Sequence, residues 1–163
     1  MNGLSRSLFR IFLILGALVL ARPVFAAEST PVAAPVCMVG VDIQPLGMGM
    51  PRDSEGRALI VARLTIAPDG GFDVHTHPGM LTVFVDSGSL WFTQVDPGNM
   101  MLNRADGSTE ATVQNKEIQL NTGDWLAEDE GMVHMAWNRS DKPTIVILSG
   151  LVDPNLPLVQ CGN

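Results

Sequence analysis

Three histidines have a spacing suited to binding a metal ion. His75 and His77 lie two residues apart in a segment typical of a strand, so their side chains would share one face. His134 comes much later, in a second predicted strand. Two imidazoles from one strand and a third from an opposing strand suit a divalent transition metal. An isolated His-x-His pair is more often two exposed histidines of a turn, so the surrounding residues decide between the two interpretations.

Short apolar segments separated by turn residues predict the strands that would position these histidines. Segment 58–67 is β-branched and apolar, and residues 68–71 (Pro, Asp, Gly and Gly) predict a turn after it. No segment after residue 30 keeps a helical period for three turns. The other predicted strands are 72–77, 81–86, 89–95, 110–115, 117–120, 125–127, 133–138 and 144–152. This pattern indicates an all-β sandwich or small barrel.

The residues around the first two histidines resemble the first motif of the cupin family, G-x5-H-x-H-x3,4-E-x6-G. His75 and His77 occupy its histidine positions, and Gly88 follows as its closing glycine. The opening glycine is one or two positions late, at Gly70 or Gly71. Leu81 stands where the family usually has its glutamate.

The residues around the third histidine resemble the second cupin motif, G-x5-P-x-G-x2-H-x3-N. Gly123, Gly131, His134 and Asn138 match its fixed positions, and Asp129 stands where proline is usual. All three histidines of the chain therefore fall on cupin histidine positions. The resemblance covers about residues 58–152.

The resemblance implies one cupin barrel, a double-stranded β-helix or jelly roll, with a mononuclear metal site in its mouth. Its ligands would be His75, His77 and His134. Because Leu81 cannot coordinate, the implied site is an uncharged three-histidine centre with about three open positions on an octahedral ion. Fe(II) is the expected metal, with Mn, Ni, Cu and Zn as alternatives. Methionines near the histidines, among them Met80, are the reason to include copper.

Side chains that share the face of the histidines are predicted to line a largely apolar pocket. They are Leu81, Val83, Val85, Met132, Ala136 and Asn138. Arg63, one strand earlier, is either an anion anchor or an ordinary surface arginine. The pattern identifies no general base and no other catalytic residue.

Residues 1–26 have the features of a secretory signal peptide. Arg6 and Arg10 give a positive start, residues 11–20 are apolar, and small residues precede Ala26. An apolar stretch this short spans only about half of a bilayer core, so cleavage and export are expected rather than a membrane anchor. The predicted location is periplasmic or secreted. The predicted divisions are the signal peptide 1–26, a flexible lead-in and N-terminal segment 27–57, the barrel 58–152 and a C-terminal tail 153–163.

The net charge of the chain argues against two classes of binding partner. The net charge is −7 and there is no basic patch, which argues against nucleic acid and, after cleavage, against a membrane surface.

Cys37 and Cys161 lie near the two ends of the predicted domain. In an oxidising compartment such a pair predicts a disulfide, and two free thiols are the alternative.

Two classes of function are compatible with the sequence. The first is a metal-dependent enzyme, a dioxygenase, lyase or isomerase, acting on a small molecule. The second is a non-catalytic module that binds a small ligand or a metal in the same barrel, because one fold serves both uses. A homodimer is the predicted assembly, with the apolar residues 144–149 available for burial. Substrate-dependent O₂ uptake would separate the two classes.

Overall fold

A computed structural model describes residues 37–98 and 100–162, which form strands, turns and loops. The all-β prediction is confirmed. Within these ranges no helix is long and apolar enough to span a membrane. The strands are β1 Met38–Gly49, β2 Ala58–Thr76, β3 Gly79–Ser87, β4 Ser89–Gln94, β5 Met101–Asn103, β6 Thr109–Ala111, β7 Glu117–Asn121, β8 Trp125–Glu128, β9 His134–Trp137, β10 Thr144–Val152 and β11 Gln160–Cys161.

The strands form one curled antiparallel sheet. Its order is β6-β5-β8-β3-β10-β2-β9-β4-β7, and β1 and β11 both pair with β2 off this path. Alternate side chains face inward, as Leu81, Val83 and Val85 do on β3. The inward side chains form one hydrophobic core. The fold is therefore the double-stranded β-helix that the cupin resemblance implied.

Strand β2 carries His75 and leads directly into His77. Its residues 58–66 pair with β10 and its residues 71–75 pair with β9. The turn predicted at residues 68–71 is wrong, because the chain does not reverse there. Asp69 instead adopts a φ of 57°, and the strand continues while it changes its partner. One long strand therefore links the β10 side of the sheet to the β9 side.

Both flanks of the predicted barrel contain strands. Residues 38–49, which lie within the predicted lead-in and N-terminal segment, form β1 along the edge of β2 that β10 does not occupy. At the other end, Gln160 pairs with Thr76 and Cys161 pairs with His75. The predicted signal peptide lies outside the described residues.

The predicted disulfide between Cys37 and Cys161 is present, with the two Cα atoms 5.5 Å apart. It joins the beginning of β1 to β11, and both strands pair with β2. The C-terminal residues therefore lie beside the strand end that carries the histidines.

Strand β10 is an interior strand. Its residues 144–152 pair with β2 on one side and with β3 on the other. The apolar residues 144–149, which the sequence suggested for a dimer contact, therefore offer no free strand edge. Their burial follows from the two neighbouring strands of the same chain.

Candidate metal centre

The three histidines meet where β2 and β9 pair. His75 lies near the end of β2, His77 follows that strand, and His134 begins β9. His75 and His134 are directly opposite each other in the ladder, and all three side chains are buried. Their ring centroids are 4.1 Å apart for His75 and His134, 4.9 Å for His75 and His77, and 5.1 Å for His77 and His134. The candidate ligand atoms all lie within 4.8 Å of one another.

Backbone carbonyls orient all three rings. His75 Nδ1 lies 2.7 Å from the carbonyl oxygen of Asp73, and His134 Nδ1 lies 2.9 Å from that of Met132. His77 Nδ1 lies 2.6 Å from the carbonyl oxygen of Leu158. A carbonyl oxygen only accepts, so each ring donates its Nδ1–H and leaves an unprotonated Nε2. Such a hydrogen bond fixes the tautomer of a metal-binding histidine.

Burial keeps the histidines neutral. It lowers the pKa of His75 to about 3, with His134 and His77 adding to the shift. It also lowers the pKa of His134 to about 4 and lowers that of His77. The structure therefore brings together three neutral nitrogen donors at neutral pH.

Glu128, the last residue of β8, also faces this cluster. Its Oε1 lies 3.2 Å from His134 Nε2 and its Oε2 lies 3.4 Å from His77 Nε2. The side chain is buried, and Oε2 has no hydrogen-bond partner among the described residues. Burial raises the pKa of Glu128 to about 7, although His77 works in the opposite direction.

The motif comparison did not identify Glu128, because it lies at a position that the second motif leaves variable. Glu128 is the direct cross-strand partner of Leu81, the residue at the usual glutamate position of the first motif. The available signal was strand parity, since Leu126 and Glu128 share the inner face of β8. Its pairing with Leu81 depends on a long-range register that spacing within either motif does not give.

A small apolar cavity surrounds the cluster. Its volume is about 30 Å³, room for a metal ion and about two water molecules. Side chains from both flanks, including Ile43 on β1 and Leu158 and Val159 before β11, contribute to its walls. The histidine nitrogens and the Glu128 carboxylate are its polar groups.

The predicted pocket residues of β3 divide between cavity and core. Val83 lines the cavity, whereas Leu81 and Val85 are buried in the core and are not among its lining residues. Arg63 is half-exposed, with its guanidinium 3.6 Å from the Asp86 carboxylate at the surface. This position away from the cavity is that of an ordinary surface arginine.

Of the predicted pocket residues near His134, only Ala136 lines the cavity. Met132 lines a separate open depression. Asn138 binds backbone instead, and its Nδ2 donates to the carbonyls of Ile66, Ala67 and Lys142. No methionine lines the cavity within the described ranges, so the thioether argument for copper has no support there.

The donor set fits a divalent transition metal. Three Nε2 lone pairs converge on a site beside a carboxylate oxygen that lacks a hydrogen-bond partner. Imidazole and carboxylate groups are ligands for Fe, Mn, Ni and Zn. A cation between them would attract the ionised carboxylate and the nitrogen lone pairs alike, because both are acceptors.

Comparison of the sequence with protein-family profiles identifies the family of this chain. The profile of the family described as Cupin matches residues 53–156, and the chain belongs to that family. No curated protein gives a significant match.

Several solved structures have a similar fold. A cupin-like protein from Thermotoga maritima is 14% identical, with a TM-score of 0.52 over 77% of this chain and 79% of that one. A cupin 2 domain-containing protein from Halorhodospira halophila is 15% identical, with a TM-score of 0.51 over 76% and 71%. A conserved protein with a double-stranded β-helix domain from Klebsiella pneumoniae is 19% identical, with a TM-score of 0.47 over 74% and 86%. At these identities the likeness shows the fold alone.

Proposed function

We propose that this cupin is an exported protein that binds one divalent transition metal and acts on a small molecule at that site. His75, His77 and His134 are the proposed ligands. The observation that carries the proposal is their common orientation, in which all three Nδ1–H groups bind carbonyls and the three Nε2 lone pairs are available to a metal. Three protein ligands leave open positions that a substrate can occupy.

The metal, when bound, supplies Lewis-acid or redox chemistry at those positions. The three histidines would hold the ion, and the apolar walls would limit the number of water molecules around it. We expect Fe(II) ahead of Mn, Ni, Zn and Cu. The reaction classes that such a site supports are those of a dioxygenase, a lyase or an isomerase.

A non-catalytic metal-binding role is the second candidate, and the size of the cavity favours it. A cavity of about 30 Å³ is too small for an organic substrate in this conformation. An enzyme would therefore require movement of a cavity wall. A metal carrier or sensor would not require that movement.

Export is proposed from the sequence of residues 1–26 and is supported by the disulfide. A cystine between Cys37 and Cys161 suits an oxidising compartment. Mass spectrometry of the protein from fractionated cells should find a chain that starts near residue 27. A full-length chain in the cytoplasm would contradict this part of the proposal.

Oxygen consumption separates the two roles. The iron-loaded protein is screened against small carboxylates, diketones and thiols with an oxygen electrode, and His75→Ala serves as the control. Substrate-dependent uptake that His75→Ala lacks would establish the dioxygenase role. Ligand-dependent thermal stabilisation with no consumption of O₂ and no change in the ligand would favour the non-catalytic role.

A further inference from the structure

The inner face of β8 presents a carboxylate that the three-histidine site does not explain. A buried carboxylate needs hydrogen-bond donors or a cation beside it. The nearest side-chain nitrogens to Glu128 are His134 Nε2 and His77 Nε2, at 3.2 and 3.4 Å. Both rings donate their Nδ1–H groups to backbone carbonyls, so they turn lone pairs toward Glu128. When Glu128 is ionised, acceptors therefore face acceptors across the cavity, and either a proton or a cation between them is needed to satisfy both.

We propose that Glu128 is a fourth protein ligand of the metal, supplied by β8 in place of a carboxylate at position 81. The inference rests on the proposed function, because it requires a metal between the histidines. A divalent cation would attract the carboxylate and the lone pairs alike. It would also give Glu128 Oε2 the partner that it lacks among the described residues.

The strand register explains how β8 can supply this group. Leu81 on β3 and Glu128 on β8 are direct cross-strand partners, and both side chains are buried on the inner face. Cβ atoms of such partners lie only about 5 Å apart. Leu81 itself packs in the core beside the cavity, and a longer glutamate at position 81 would extend toward the region that Glu128 reaches. In this chain the carboxylate stands on β8, and an apolar residue stands opposite it on β3.

A bound carboxylate changes what the site can accept. It lowers the charge of the centre from +2 to +1, and on a six-coordinate ion it leaves two open positions instead of three. The site then suits a small ligand that occupies two neighbouring positions. It attracts an anion less strongly than an uncharged three-histidine centre would.

The role of Glu128 as a ligand has a distinctive effect on stability. Without metal, an ionised Glu128 is a buried charge that lacks partners, and the amide of a glutamine can donate to His134 Nε2 as a protonated Glu128 would, so Glu128→Gln should not weaken the fold. With metal, the same carboxylate contributes to binding and hence to folding. The sign of the effect of Glu128→Gln on the unfolding temperature should therefore depend on the metal.

Co(II) binding to the purified, chelator-treated protein tests the inference. Affinity is measured by competition with a chromophoric chelator, and the visible absorption of Co(II) reports its ligand set. Wild type should bind one ion, and Glu128→Gln should bind at least about tenfold more weakly with a changed spectrum. Metal-free Glu128→Gln should unfold at the same or a higher temperature than wild type, and the Co(II)-loaded variant at a lower one.

Two further variants control for charge and position. Glu130 pairs with Arg57 at the surface, so Glu130→Gln removes a nearby charge without touching the cavity and should leave Co(II) affinity unchanged. The exchange variant Leu81→Glu with Glu128→Leu returns a carboxylate from β3 and should recover affinity that Glu128→Leu alone lacks.

The outcomes distinguish this inference from the proposed function. If wild type and Glu128→Gln bind Co(II) with equal affinity and spectra while His75→Ala does not bind, the fourth ligand is refuted and the histidine site stands. Failure of wild type to bind overturns both. A metal-free Glu128→Gln protein that unfolds at a lower temperature than metal-free wild type would assign Glu128 a structural role and overturn the inference.

Discussion

At the scale of single residues, the second cupin motif contains one residue of the candidate site and one residue that stabilises the fold. His134 turns its Nε2 toward the cavity, whereas Asn138 holds the chain around the end of β9. Its Nδ2 donates to the carbonyls of Ile66, Ala67 and Lys142, and its Oδ1 accepts from the backbone and hydroxyl of Ser140. The spacing of the motif therefore links a ligand to the residue that anchors its strand.

Replacement of Asn138 should destabilise the protein. Asn138→Ala removes the donor from buried carbonyl groups, and we expect a loss of about 2–4 kcal/mol in the free energy of unfolding. Asn121 is exposed, so Asn121→Ala is the matched control, with an expected loss below about 0.5 kcal/mol. Denaturant titration measures both. Equal losses in the two variants would show that the buried hydrogen bonds of Asn138 add no more to the free energy of unfolding than those of an exposed asparagine.

The residues of the site were predictable to different degrees. His75, His77 and His134 could be selected from motif spacing alone, because their types and intervals are local properties of the chain. Glu128 could not, because its partner Leu81 lies on another strand and only the folded register brings the two together. Asn138 could be matched to the motif, but the sequence placed it in the pocket. In the fold its side chain donates to the carbonyls of Ile66 and Ala67 on β2 instead.

At the scale of elements, β2 controls the geometry of the centre. The sequence predicted strands on both sides of residues 68–71 and a turn between them, since Pro and Gly usually interrupt a strand. In the folded chain the strand continues through these residues while its partner changes from β10 to β9. The predicted turn is therefore wrong, because tertiary pairing on both sides keeps the chain extended despite its proline and glycines.

The close contact of β2 with β9 depends on the absence of a side chain at Gly71. A Cβ atom at this position would lie 2.3 Å from the carbonyl oxygen of Ala136 and 2.8 Å from the Cα of Trp137. We expect Gly71→Ala to cost about 1–3 kcal/mol, because β9 must move away from β2. The same movement would displace His134 and weaken metal binding.

Gly49→Ala is the matched control for this prediction. Gly49 is also in a strand, but a Cβ atom there would meet nothing within 4 Å. Thermal unfolding and metal titration of the two variants make the comparison. If Gly71→Ala is as stable as Gly49→Ala and binds metal equally well, the close approach of the strands does not matter for the site.

At the scale of the whole molecule, the two ends of the described chain meet beside the metal centre. Cys37 and Cys161 are bonded, β11 pairs with β2, and Leu158 accepts the hydrogen bond from His77. The sequence predicted the cystine from the places of its two cysteines. It did not predict the contact of the tail with the site, because residues 153–163 carry no strand pattern of their own.

Removal of the disulfide should therefore weaken both the fold and the site. The double variant Cys37→Ser with Cys161→Ser releases a long loop, which the chain-entropy account values at about 4–5 kcal/mol. Metal should also dissociate faster, because the carbonyl of Leu158 that orients His77 becomes less restrained. Denaturant titration and chelator-chase kinetics measure the two effects. A variant with unchanged metal release would separate the tail from the site.

Metal content of the wild-type protein and of His75→Ala is the most direct test of the central claim. Both are purified from the exported fraction without added metal or chelator, and the metals are measured by mass spectrometry. We expect about one transition-metal ion per wild-type chain and its loss from the variant, with both proteins folded. A wild-type protein that contains no such metal and takes up none on titration would contradict it.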